Sequence, residues 1–243
     1  MSIKQLKPLG VLGGMGPLAT QVFYGMVIEN TDAGCDQDHV NMIIVNHAAM
    51  PDRTGALLSG DTGRLYSELL EDCIFLEESG ACAIAVPCNT SHYFADKLQG
   101  EVGVPIINMI RETVKSISAS RGRGARAGIL ATDGTVNLGL YQAEMEKEGI
   151  VPVVLSPENQ KRTMKIIYDG IKAGGEVDFA DFEEIEKELL AKGCDCAVMG
   201  CTELSCFMKI YGVSQGFYID AMKVLATKAI TAAGGRLRQS CGK

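Results

Sequence analysis

Short apolar runs recur along the chain, separated mostly by helix-length stretches with amphipathic spacing. The first is LGVLGGMGP (residues 9–17), which runs into a glycine cluster and then into a helical pattern through Tyr24 and Ile28. Others lie at 42–45, 83–87, 105–107, 127–131, 151–155, 196–199 and 217–219. Continuous apolar runs of strand length, alternating with helices, predict parallel strands with helices on both faces of a sheet.

The pattern is also written twice. GVLGGMGP from Gly10 matches GILATDGT from Gly128, an offset of 118. Gly80 and Cys88 of ESGACAIAVPCNT match Gly193 and Cys201 of AKGCDCAVMGCTE, both at an offset of 113, and Asn108 matches Asp220 at 112. Three matches in the same order and at nearly the same spacing predict a duplicated unit. The expected fold is therefore α/β, with two similar Rossmann-like lobes of mainly parallel strands related by pseudo-two-fold symmetry. The expected lobes are residues 1–111 with 221–243, and residues 112–220, with helices at 109–120 and 221–233 crossing between them. Ligands of such sheets bind beyond the carboxyl ends of the strands. Cys88 and Cys201 both stand at such ends, so the two thiols are expected to face one cleft from opposite lobes.

Composition narrows the setting. The 243 residues, 47% hydrophobic and 22% charged, are those of a globular chain large enough for one domain or two lobes. No apolar stretch approaches the ~20 residues that cross a bilayer, and the N-terminal segment lacks a signal-peptide pattern, so a cytoplasmic protein without membrane contact is expected. A net charge of −7 argues against nucleic acid as a partner, and the basic cluster at 121–126 reads as a solvated loop. Nine cysteines, an odd number, read as reduced thiols, and with three histidines and no CxxC pair no zinc site is expected. The glycines Gly13, Gly14 and Gly16 do not follow the dinucleotide fingerprint. They read instead as a tight turn that lets backbone approach a ligand, with Met15 beside it.

A thiol works as acid or base near neutrality, and a helix N-terminus favours its anion, so either cysteine is expected to have a lowered pKa. Asn89, Thr90 and Thr202, with their backbone amides, are placed to hold a carboxylate. A base on one face of an α-carbon and an acid on the other inverts a stereocentre without a cofactor.

Taken together, GGMGP, PCNTSH, TDGT and GCTEL, spread in this order over nearly the whole chain, resemble the aspartate/glutamate racemase family of cofactor-independent two-cysteine amino-acid racemases. The continuation CTELS, in place of the CTHYP of cell-wall glutamate racemases, resembles the aspartate racemase branch. The resemblance implies racemisation of a small amino acid without cofactor or metal, with Cys88 and Cys201 exchanging acid and base roles, commonly in a homodimer. It also implies that Arg53 in MPDRT and Lys172 in YDGIKAG recognise substrate carboxylates. By their own pattern, Arg53 lies in a glycine-rich segment that reads as solvated surface or a mobile flap, and Lys172 reads equally as an exposed helix position. Thr132, Gly134 and Thr135 either bind the α-carboxylate or form a helix cap at Thr132 or Asp133. Glu203 either repels substrate carboxylates or bonds the substrate ammonium. His92 either contacts the Cys88 thiol or satisfies an interface, and is left out of the catalytic set. Rival readings on the same scaffold are a glutamate or broad-range racemase, a maleate isomerase, a hydantoin racemase, a one-thiol decarboxylase, or a two-lobed ligand-binding protein.

Overall fold

Every apolar run of the repeat becomes a parallel strand in the computed structural model, which describes residues 2–239. Met1 and residues 240–243, including Cys241 and the expected end of the first lobe, lie outside the described residues. The strands are β1 (Leu9–Gly13), β2 (Met42–Asn46), β3 (Ala83–Ala85), β4 (Ile106–Ile107), β5 (Arg126–Leu130), β6 (Val151–Val153), β7 (Cys196–Met199) and β8 (Tyr218–Asp220). They form two sheets of the same topology, ordered β2-β1-β3-β4 and β6-β5-β7-β8, with every pairing parallel. The fold is thus two similar α/β lobes, as the duplicated pattern requires. β3 is shorter than its apolar run because Pro87 has no amide hydrogen for the ladder. There the chain turns, with the Cys88 amide donating to the Val86 carbonyl at 2.8 Å.

The helices are α1 (Pro17–Asn30), α2 (Arg53–Ser59), α3 (Gly63–Glu78), α4 (Ala95–Gln99), α5 (Met109–Arg121), α6 (Asp133–Asn137), α7 (Leu140–Lys147), α8 (Pro157–Lys165), α9 (Phe179–Ala191), α10 (Thr202–Tyr211) and α11 (Ala221–Ala232). Their starts are chemically marked. Pro17 opens α1, and side-chain oxygens of Asp52, Asn108, Thr132, Ser156, Asp178 and Asp220 cap α2, α5, α6, α8, α9 and α11. Asn108 and Asp220, counterparts in the repeat, therefore do the same work in each lobe. α11 packs on α1, α5 and β3, burying Met222, Leu225 and Ile230, at about 1.5–3 kcal/mol for each fully buried side chain. We retain the lobe limits 1–111 with 221–243 and 112–220 as a proposal that follows these two crossing helices. Among the described residues no helix is long and apolar enough to cross a membrane.

In each sheet the chain steps from the first strand to one side and returns to the other, so the order reverses between β1 and β3 and between β5 and β7. A crevice opens at the carboxyl ends of strands at such a reversal. The loops there carry Gly14 to Gly16 and Cys88 in one lobe, and Thr132 and Cys201 in the other.

Candidate active site

Both thiols line one small chamber between the lobes, with Met15, Asp52, Arg53, Thr54, Asn89, Thr90, Thr132, Tyr168, Lys172, Thr202 and Glu203. The chamber measures about 10 Å³, room for one water. Directly outside it lies a cavity of about 470 Å³, bounded by the Gly14–Gly16 turn and by Pro17, Leu18, Ala19, Ala48 and Ile171. Asp52, Arg53, Tyr168, Lys172 and Glu203 line both spaces and form the wall between them. Glycine is required at position 14, where φ is +90° and a Cβ would fall within 2.4–2.6 Å of the His47 backbone.

The two cysteines sit in different electrostatic settings. Cys201 is the residue before α10, and its Sγ lies 2.9 Å from Glu203 Oε2, which also accepts from Thr202 Oγ1 at 3.2 Å. Burial and the adjacent carboxylate push the Cys201 thiol well above its ordinary pKa, against the opposing pull of Lys172. This corrects the expectation that the helix N-terminus lowers it: a full negative charge at hydrogen-bond distance and the loss of water outweigh partial charges of backbone amides. Cys88 leads not into an α-helix but into a single 3-10 turn, Thr90–Phe94. Its charged neighbour is Arg53, whose guanidinium stays ionised because Cys88, Asp52 and Glu203 outweigh the penalty of burial. Lys172 Nζ lies 3.9 Å from Glu203 Oε1 and 4.3 Å from the centre of the Tyr168 ring. Burial works against its charge, and Glu203 and Cys201 more than restore it.

Buried hydrogen bonds join the lobes at the chamber floor. Thr90 Oγ1 lies 3.1 Å from Thr132 Oγ1 and 3.0 Å from Thr135 Oγ1, and Tyr141 Oη donates to Asn89 Oδ1 at 2.6 Å. That bond fixes the amide of Asn89 and leaves its Nδ2 buried without an acceptor; the Nε of Arg53 is likewise buried and unpaired. Buried donors without partners are costly, and these two belong to residues that line one chamber. His92 lies outside the chamber lining, and its ring nitrogens meet backbone groups, not the Cys88 thiol. Its Nδ1 lies 2.8 Å from the Cys88 carbonyl oxygen and its Nε2 accepts from the Met109 amide at 3.0 Å, which braces the Cys88 turn. Burial lowers its pKa and keeps the imidazole neutral.

Of the residues singled out in the sequence, Met15, Arg53, Cys88, Asn89, Thr90, Thr132, Lys172, Cys201, Thr202 and Glu203 line the chamber. Gly134 and Thr135 do not: Gly134 packs against Thr54, and Thr135 bonds Thr90 and the cap at Thr132. Arg53 is not on an open flap but begins α2, only 9% exposed, with Nη1 donating to the Pro51 carbonyl at 3.0 Å. Lys172 ends a π-helical turn, Ile166–Lys172, that continues α8, a widening frequent at functional sites. Asp52, Thr54 and Tyr168 are additional. The sequence carries a usable signal for two of them: Asp52 is an N-cap type directly before Arg53, and Tyr168 stands four residues before Lys172; Thr54 has none.

The profile of the family described as Asp/Glu/hydantoin racemase matches residues 12–229. The broad specificity amino-acid racemase RacX of Bacillus subtilis is 25% identical over 233 residues, covering 92% of this chain and 96% of its own. Among solved structures, the aspartate racemase of Picrophilus torridus superposes with a TM-score of 0.79 at 29% identity, covering 96% of both chains. Glutamate racemase RacE1 of Bacillus anthracis shares the fold at 15% identity, with a TM-score of 0.64 over 93% of this chain and 80% of its own.

Proposed function

The chain belongs to the Asp/Glu/hydantoin racemase family, and from that premise we propose that it is an isomerase that racemises an amino acid, most specifically aspartate, by proton transfer between two thiols. The observation that carries this reading is the shared chamber: Cys88 from one lobe and Cys201 from the other, with the unpaired donors Asn89 Nδ2 and Arg53 Nε beside them.

The substrate α-carboxylate takes those two donors, and its α-carbon lies between the sulfurs. Cys88, with the Arg53 guanidinium as counter-charge for its thiolate, removes the α-proton. The electron pair left behind spreads into the carboxylate, where Arg53 offsets the developing charge. Cys201, held protonated by Glu203, returns a proton from its Sγ to the opposite face. The cycle leaves Cys88 as thiol and Cys201 as thiolate, the arrangement needed for the reverse direction. Lys172 is the cation for the second carboxylate. The match to an aspartate racemase over nearly the full chain supports aspartate, and the match to RacX favours a broader range as the second reading.

Chiral chromatography of each amino acid incubated with the protein, without added cofactor, tests the proposal. Aspartate is expected to racemise fastest, and Cys88→Ser and Cys201→Ser are each expected to reduce turnover at least about a thousandfold, within the range of positioned acid–base catalysis. No D-enantiomer from any amino acid would overturn it, and full turnover in one serine variant would leave only one-thiol chemistry.

A further inference from the structure

The closed chamber has room for no more than a water, whereas the cavity outside it is large enough for a small ligand, so substrate reaches the thiols only when the wall between the two spaces parts. We propose that Tyr168 is the positioning residue that latches this wall: its phenol closes the mouth of the chamber by hydrogen bonding to Asp52 of the other lobe, and its ring holds Lys172 in place.

Three observations meet at Tyr168. Its Oη donates to Asp52 Oδ2 at 3.3 Å, joining the π-helical turn of the second lobe to the start of α2 in the first. Its ring lies 4.3 Å from Lys172 Nζ, within the range of a cation–π contact. It borders the chamber, the 470 Å³ cavity and a separate groove of about 700 Å³ on the second lobe, so a swing of this one ring connects them.

The inter-lobe bonds around the chamber are unequal, and the inequality favours opening at its mouth. On the floor, Tyr141–Asn89 at 2.6 Å and the three threonine hydroxyls are buried, and the one-water space beside them is too small to replace all of their partners. At the mouth, Tyr168–Asp52 is longer and solvent-exposed, so water satisfies both groups when it breaks. The floor therefore serves as hinge and the mouth as the part that moves. Asp52 Oδ1 meanwhile accepts from the Gly55 amide at 2.7 Å, so the latch is anchored to the cap of the helix that begins with Arg53.

Alkylation by iodoacetamide, a neutral reagent, reads the latch without any substrate. The inference draws its meaning for turnover from the two-thiol reading, but a failure of that reading leaves this experiment intact. Rates at Cys88 and Cys201 are followed by peptide mass spectrometry in the full chain, with exposed Cys35 as internal control. Tyr168→Phe keeps the ring and removes the bond, while Asp52→Ser keeps a capping hydroxyl too short to reach Tyr168. Each variant is expected to speed alkylation of both cysteines about fivefold, the effect of a hydrogen bond of ordinary net strength, with the Cys35 rate unchanged and, in Tyr168→Phe, which removes no charge, the pH midpoint of the reaction unchanged as well. The double variant is expected to match either single one. Rates within about twofold of the parent, a shifted pH midpoint in Tyr168→Phe, or multiplied effects in the double variant would each overturn the proposal. Should one variant not fold, the other decides.

Discussion

With one carboxylate oxygen 2.9 Å from Cys201 Sγ and the other 3.9 Å from Lys172 Nζ, Glu203 links the second thiol to the cation of its own lobe. Sequence alone left it two roles, repelling carboxylates or binding an ammonium; the geometry gives it a third, as acceptor for the Cys201 thiol. That bond was hidden because adjacent side chains in a sequence rarely face each other, and only the turn into α10 brings positions 201 and 203 to one side. Its consequence follows by sign. The negative charge favours the protonated thiol, so Cys201 remains S–H through neutral pH, and removing the charge lowers the thiol pKa. Glu203→Gln is therefore expected to move Cys201 thiolate formation to lower pH and to shift the alkaline limb of any racemase pH profile the same way. An ultraviolet titration in a Cys88→Ser background checks the first of these, and a midpoint that stays or rises contradicts the assignment.

At the scale of elements, the eight strands and the helices between them are legible because apolar runs and amphipathic spacing are local signals. So is the placement of Cys88 and Cys201, which the repeat carries. The π-helical turn is not, since a helical pattern of isoleucines fits an α-helix equally well. The Tyr168–Asp52 bond spans 116 residues and lies outside the repeated motifs, so no local pattern records it. Another join that no local pattern records holds the start of α8, the helix whose far end runs into the π-helical turn. Glu188 of α9 accepts from the Ser156 amide and hydroxyl, from Asn159 Nδ2, and from Lys192, whose Nζ lies 2.6 Å away. Burial raises its pKa, but these donors outweigh it and hold the carboxyl down to about 2. A depressed acid adds stability above its unfolded pKa of about 4.3 and loses it as pH falls toward about 2. Glu188→Gln is thus expected to cost about 1 kcal/mol at neutral pH and to flatten the loss of stability between roughly pH 4.5 and 2, because solvent screens a partly exposed network. Denaturant melts at several pH values measure this, and equal acid sensitivity in both proteins would contradict it.

For the whole molecule, the duplication supplies a geometry that neither half has alone. Each lobe places a thiol at the reversal point of its own sheet, and the pairing of lobes turns two strand ends into two faces of one chamber. The asymmetry then comes from what each half adds: Arg53 beside Cys88, Glu203 beside Cys201. The pair of thiols follows from repeated sequence, while these additions and the closed mouth depend on unlike segments. The central claim is that the proton removed and the proton returned belong to different sulfurs. Incubating L-aspartate with the protein in deuterated water, and measuring α-deuterium separately in both enantiomers early in the reaction, tests it most directly. Two thiols predict deuterium in the D-aspartate formed while the remaining L-aspartate is still unlabelled. Label entering both enantiomers at equal rates, or no label in either, would contradict it.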